Sequence, residues 1–167
     1  GEILWKAFLN NDIENKIIAD FGCGNGIFGI GALRLGAKKV YFLDKDKDAL
    51  EITKKNYKML KLKNGFFLNK DVNDFDKKVD VTLMNPPFGV QKKHNDKLFL
   101  EKAMELSNKI YSIHKIESKS FIDKLAWKYN FVVKGVHEYN LLLKKKYEFH
   151  RSEKYYVKIG YWVMEKL

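Results

Sequence analysis

The chain has 167 residues, 46% hydrophobic and 32% charged, which suits one domain with a real core and excludes wholesale disorder. It carries 32 Lys and Arg against 21 Asp and Glu, a formal net charge of +11, so an anionic partner, above all nucleic acid, is one reading. Arg34 and Arg151 are the only arginines, and a lysine excess of this kind equally reflects genome composition or adaptation to heat.

Glu2 to Leu9 reads as a helix, with Ile3, Leu4, Ala7 and Phe8 apolar. A start at Gly1 in mid-helix suggests a chain trimmed of an N-terminal segment, a natural short form being the other reading. Lys16 to Phe21 is a short apolar strand that runs into glycines. Ile27 to Leu35 has apolar residues at helical spacing (Ile27, Ile30, Leu33) and stops at Gly36. Val40 to Asp44 is a second strand. Asp46 or Asp48 can cap the next helix, which carries Ala49, Leu50, Thr53, Tyr57 and Leu60 on one side. Asn64-Gly65 turns the chain into the strand Phe66-Phe67-Leu68, and Val79 to Met84 is a fourth strand. Leu98 to Leu106 is helical by period, and Lys109 to His114 is a strand. Ser118 or Ser120 starts a helix through Phe121, Leu125 and Ala126. Phe131 to Leu143 and Tyr155 to Met164 are long strands joined by a basic loop. Such alternation predicts an α/β fold over residues 1–167: a mostly parallel, Rossmann-like sheet with helices on both faces. The last two strands, with no helix between them, should pair as an antiparallel hairpin at one edge.

Asp20-Phe21-Gly22-Cys23-Gly24-Asn25-Gly26 joins the first strand to the first helix after it. Glycines are needed where backbone turns sharply or a ligand comes close. Asp44 closes the second strand, where a carboxylate can accept hydrogen bonds from ribose hydroxyls. This pattern fits a dinucleotide and S-adenosylmethionine alike. Asp20, an acid just before the first glycine, favours the latter, whose methionine end carries an ammonium. Asp71-Val72 follows the third strand, where Asp71 can accept from an adenine amino group; a solvated loop acid is the plainer reading.

Asn85-Pro86-Pro87-Phe88-Gly89 stands at the C-terminal end of the fourth strand and holds both prolines of the chain. In a parallel sheet that point adjoins the glycine turn. Proline fixes φ and lacks an N–H, so the backbone is stiff and offers bare carbonyls. This suits methylation of an exocyclic amine on a flat ring. The Asn85 side-chain oxygen and the Pro86 carbonyl can hold both amine hydrogens, and Phe88 can stack on the base.

At this point the sequence resembles the class I S-adenosylmethionine-dependent methyltransferases, and within them the archaeal and eukaryotic methyltransferase-like protein 5 family, which forms N6-methyladenosine in small-subunit ribosomal RNA. The resemblance rests on Asp12 to Lys16, Asp20 to Gly26, Asp48 to Ile52, Met84 to Gly89, Tyr111-Ser112-Ile113-His114-Lys115 and Tyr147 to Lys154. It implies cofactor contacts at Gly22, Asn25, Ile27, Asp44, Asp71 and Asn85, and catalysis at Asn85, Pro86, Pro87 and Phe88. An N-terminal Glu-Gln-Tyr-x-Thr stretch of that family is absent here, and Asn25 is a cysteine in some members. The family's eukaryotic members work with a small zinc-binding activator that adds a strand to a sheet edge, which here implies residues 66–70. Two further enzyme readings share the amine geometry, methylation of guanine N2 or of a protein glutamine. A non-catalytic RNA-binding assembly module is the reading outside enzymes.

Cys23 is the only cysteine, so no internal disulfide forms, which suits a cytoplasmic protein. His94, His114, His137 and His150 share no metal-ligand spacing, so no metal site is expected. Candidate RNA contacts are Lys92 and Lys93 just past Phe88, His114 and Lys115 at the fifth strand's end, and His150, Arg151 and Lys154 in the last loop. Between Lys144 and Lys158 there are six basic residues and two acids. A structural role for His114 is equally open. Lys54, Lys55, Lys58 and Lys61 are expected on a solvated face, and Trp127, Tyr129, Tyr161 and Trp162 in packing rather than stacking.

Overall fold

In the computed structural model, the described residues are 1–86, 95–144 and 154–167. One seven-stranded sheet organises the chain, in the order β3-β2-β1-β4-β5-β7-β6. The strands are β1 (Ile17–Phe21), β2 (Lys39–Asp44), β3 (Gly65–Asn69), β4 (Val79–Met84), β5 (Ser107–Lys115), β6 (Phe131–Lys144) and β7 (Lys154–Lys166). The first five pair in parallel. β7 runs antiparallel to both β5 and β6. The hairpin is at the edge as expected, with the later strand turned inward beside β5. β3 ends the sheet on the other side.

The helices are α1 (Glu2–Leu9), α2 (Ile27–Arg34), α3 (Lys47–Met59), α4 (Asn95–Leu106) and α5 (Lys119–Lys128). Local chemistry explains their bounds. Asp46 caps α3 by accepting from the Asp48 and Ala49 N–H groups, so of the two candidate caps it is Asp46 that acts. Gly36 follows α2 at φ +92°, a left-handed conformation that ends the helix. α4 begins three residues earlier than apolar spacing indicates. None of the described helices is long and apolar enough to cross a membrane.

Two apolar layers flank the sheet. On one side, Ile3 and Ala7 of α1, Ile30 and Ala32 of α2 and Leu50 of α3 pack with Ile18, Val40 and Phe42. On the other, Leu100, Ala103 and Met104 of α4 and Ile122, Leu125 and Ala126 of α5 pack with Phe21, Met84, Ile110 and Trp162. Three apolar expectations need correction. Ile27 is 62% exposed and Leu60 is also exposed: Ile27 opens α2 before the helix meets the sheet, and Leu60 follows the last residue of α3. Trp127 is 78% exposed, because α5 buries Ile122, Leu125 and Ala126 and Trp127 falls on the opposite side. Tyr161 and Trp162 are buried as expected.

Candidate active site

β1, β2 and β4 end side by side, with Phe21 level with Leu43 on one side and Met84 on the other. Their C-terminal ends, with that of β3, are where an open parallel sheet binds ligands. The turn after β1 is tied to β2: the Gly22 and Cys23 N–H groups both donate to the Leu43 carbonyl, at 2.8 and 3.0 Å. The Gly24 N–H donates to Asp44 Oδ2 at 2.9 Å. Thr53 of α3 donates to the Gly24 carbonyl at 2.7 Å, and Asn56 donates to the Asn25 carbonyl at 2.9 Å.

Two glycines show why this turn needs them. Gly26 has φ +81°, and a Cβ there would come within 2.6 Å of Thr53 Cγ2. Gly24 has φ +55°, but nothing lies within 4 Å of where its Cβ would be. The space beside Gly24 is therefore free for a ligand to approach the backbone.

The carboxylates divide by environment. Asp20 is 1% exposed and accepts from the Gly29 N–H at 2.8 Å. Burial pushes its pKa up to about 7; the Gly29 hydrogen bond opposes this and the nearby Asp44 charge adds to it. Asp44 is half-buried, with Oδ2 on Gly24 and Oδ1 accepting from the Asp46 N–H at 3.0 Å. Each oxygen keeps a lone pair for a further donor. Asp71 caps the short 3-10 turn Val72–Asp74, Oδ1 accepting from the Asn73 N–H at 3.1 Å and its side-chain amide at 2.9 Å.

A cavity of about 270 Å³ opens here, lined by Gly22, Leu43, Asp44, Lys45, Lys70, Asp71, Val72, Asn85, Leu98 and Phe99. It brings together Gly22, Asp44, Asp71, Val72 and Asn85 from the sequence candidates. Asp20, Cys23, Gly24, Asn25, Gly26 and Ile27 are not among its lining residues. Asp20 stays behind the turn, held by Gly29. The Cys23 side chain faces the core, 3.7 Å from Thr53 Oγ1, and burial with the Asp20 charge pushes its thiol up to about 12. With its side chain turned into the core, Cys23 has its backbone to offer a ligand. Asn25 accepts from the Ile27 N–H at 3.3 Å.

Sequence reasoning missed Leu43, Lys45, Lys70, Leu98 and Phe99 as cavity residues. The two lysines had a usable signal, since they adjoin Asp44 and Asp71 at strand ends. The α4 pair had none: an apolar residue at helical spacing looks the same facing core or cavity. Phe99 closes over the glycine turn, its Cε1 3.2 Å from where a Gly22 Cβ would be.

Asn85 is exposed at the cavity's edge and Pro86 is buried beside it. Pro87, Phe88, Lys92, Lys93, His150 and Arg151 lie outside the described residues, as does the side chain of Lys154, which opens β7. Lys115 is exposed at the end of β5. His114 is a correction. It is 1% exposed, its Nε2 is 2.5 Å from Ser112 Oγ, and its ring meets Trp162 edge-on at 5.6 Å. Burial beside Trp162 of β7 and Asp96 of α4, whose Oδ2 is 3.9 Å from its Nδ1, withdraws it from solvent and fits the structural role. Among the described residues no cluster of three or more His, Cys, Asp or Glu could hold a metal ion.

Residues 1–110 match the methyltransferase small domain family. The chain is 33% identical to the rRNA N(6)-adenosine-methyltransferase Mettl5 of Drosophila melanogaster, over 93% of this chain and 76% of that protein. It is 33% identical to an uncharacterized protein of Methanocaldococcus jannaschii, over 96% of this chain and 78% of that one. Among solved structures, a candidate RNA methyltransferase of Pyrococcus horikoshii superposes with a TM-score of 0.90 at 38% identity, covering 99% of this chain and 82% of that one.

Proposed function

The chain belongs to the methyltransferase-like protein 5 family of small-domain methyltransferases, and from that premise we propose that it forms N6-methyladenosine in small-subunit ribosomal RNA with S-adenosylmethionine as methyl donor. The observation that carries this is the position of Asn85 on the rim of the cavity that also holds Gly22, Asp44 and Asp71.

The cavity suits that donor chemically. Asp44 keeps acceptor capacity for ribose hydroxyls, and Asp71 Oδ2 for an adenine amine. Leu43, Val72, Leu98 and Phe99 give the ring apolar contact, and the open side of Gly24 leaves room for the methionine end. Asp20 holds the first turn of α2 through the Gly29 N–H, and an ammonium at the methionine end would favour its ionised form. When bound, the donor supplies an electrophilic methyl on a sulfonium.

Everything else falls to the chain's own groups. An adenine amine is conjugated with its ring and is a poor nucleophile. Asn85 and the Pro86 carbonyl would accept its two hydrogens, which favours a pyramidal nitrogen whose lone pair is withdrawn from ring conjugation and directed at the methyl. Phe88, next but one in the motif, is the stacking surface for the flipped base. The nitrogen would form its bond to the methyl carbon as that carbon's bond to sulfur breaks, the sulfur leaving as a neutral thioether, and the nitrogen would then release a proton to water, so no strong base is required. Orientation and preorganised acceptors carry the acceleration.

Incubating the protein with ribosomal RNA and isotope-labelled donor, then resolving nucleosides by mass spectrometry, tests the reading. Label in N6-methyladenosine is expected. Label in N2-methylguanosine, in protein only, or nowhere overturns it.

We further assign the zinc-binding activator to β3. Its support is that β3 ends the sheet with Phe66 45% exposed on it, and an apolar edge strand invites strand addition. Phe66→Lys is expected to abolish co-purification of such a partner.

A further inference from the structure

Trp127 is 78% exposed, and Phe121, six residues before it, is 40% exposed. Lys124 and Lys128 are exposed between and after them. The spacing 121, 124, 127 and 128 lays the four along one outward stripe of α5. Neither Lys124 nor Lys128 has a carboxylate within ion-pairing distance among the described residues; the pair formed on this helix is Lys119 with Asp123, at 2.8 Å. Large aromatic surface left in water is unfavourable and marks a binding surface when polar charge rims it.

The stripe has a definite relation to the active site. α5 and α4 lie on the same side of the sheet, and α4 supplies Leu98 and Phe99 to the cavity. β5 runs parallel to β4 with Ser112 level with Met84, so Ile113 is level with Asn85 and β5 continues past it to Lys115. Exposed Lys115 stands at that end, and α5 opens four residues later. From there its ten residues run about 15 Å back along the outside. Lys115, Phe121, Lys124, Trp127 and Lys128 thus form a track of alternating charge and aromatic surface that starts at the active-site end.

We propose that this track carries single-stranded RNA leading away from the methylated nucleotide, with bases stacking on Trp127 and Phe121 and phosphates meeting Lys115, Lys124 and Lys128. This rests on the RNA-methyltransferase reading of the site. Alternation of aromatic faces and ammonium groups is what single strands require, since every base has a face to stack and every linkage a charge to neutralise. One single-stranded RNA supplies base faces for the two aromatic rings and phosphates for the lysines together, whereas a protein partner would need an apolar anchor and an acidic segment at the same spacing.

Binding of a labelled, adenosine-rich single-stranded RNA of about 15 nucleotides, followed by fluorescence anisotropy across a salt series, tests this. Trp127→Ala is expected to weaken binding by about tenfold, with Trp127→Phe recovering most of it. Lys124→Ala with Lys128→Ala should flatten the slope of log affinity against log salt by about 1.4. Melting temperatures should not move, because these side chains are exposed. Unchanged affinity in all three variants overturns the proposal. So does a Trp127→Ala variant that keeps its RNA affinity but dissociates an assembly seen by sedimentation, which would make the face a protein interface. Methyl transfer is read in parallel. Normal N6-methyladenosine formation with unchanged RNA affinity sinks the track alone. Loss of affinity in Trp127→Ala, in a protein that methylates no RNA, sinks the functional reading alone.

Discussion

The polar groups around the glycine turn and those beneath α1 are both half-hidden from water, yet they are satisfied in opposite ways. At the turn, carboxylates accept from backbone: Asp20 from Gly29, Asp44 from Gly24 and Asp46, Asp71 from Asn73. Beneath α1, side chains consume one another. Tyr111 donates to Asp12 at 2.6 Å, Asn10 donates to the Tyr111 oxygen at 2.8 Å, and Lys109 pairs with Asp12 at 3.1 Å. Burial, then the bond to Asp12, holds the Tyr111 phenol protonated far above its usual range. The first arrangement fixes a loop and leaves lone pairs facing a cavity. The second closes on itself and fastens the α1–β1 connection to β5. One is arranged to receive a ligand and the other to resist change.

The largest expected effect separates the two. Asn85→Ala should lower methyl transfer by about 10²- to 10³-fold or more while leaving the thermal unfolding midpoint in place; near-normal turnover would break the catalytic assignment. Tyr111→Phe should do the reverse. It strips Asp12 of a donor and should cost about 1–3 kcal/mol in denaturant unfolding, with donor affinity by calorimetry unchanged. Should that affinity fall as well, the two clusters are coupled and the contrast fails.

Asp20 gives a subtler test. Its folded pKa of about 7 lies above the ordinary 3.8, so the folded state favours the protonated form. Its contribution to stability is full below about pH 4 and is lost as pH rises through 7. Asp20→Asn keeps an oxygen for Gly29 and cannot ionise, so it should flatten that part of the stability profile between pH 4 and 7. An unchanged profile would mean the carboxylate is ionised in the fold. The smallest effect belongs to α3: neutralising Lys54, Lys55 and Lys58 together should change RNA affinity less than about twofold, since exposed helix charges away from the track are screened. A larger loss would put RNA on the other side of the sheet.

Much of this arrangement was legible beforehand. β4 runs from Val79 to Met84 as alternation and its flanks indicate, and the prolines after it mark the strand end by chemistry alone. Asp44 and Asp71 could be placed because strand ends in parallel sheets converge. What escaped was set by partners distant in sequence. Nothing local to β7 says that it inserts between β5 and β6. His114 shares a face with Ile110 and Ser112, but Trp162 from β7 and Asp96 from α4 are what surround it. Trp127 was expected in packing on its size, although its offset from Leu125 on the helix already turned it outward; periodicity was the better guide than residue type.

The terminal hairpin outruns its support. β5 last meets β7 at Lys115 opposite Ile159, while β6 and β7 continue for five more pairs, from Asn140 opposite Lys158 to Lys144 opposite Lys154. At about 3.4 Å per residue the two-stranded part projects about 17 Å past the sheet, from its active-site end. It behaves as a cantilever, clamped at Ile159, with the β6–β7 ladder continuing beyond it. Its amides should therefore exchange with solvent in a graded series, slowest at the clamp and fastest outward, instead of as one cooperative unit with the sheet.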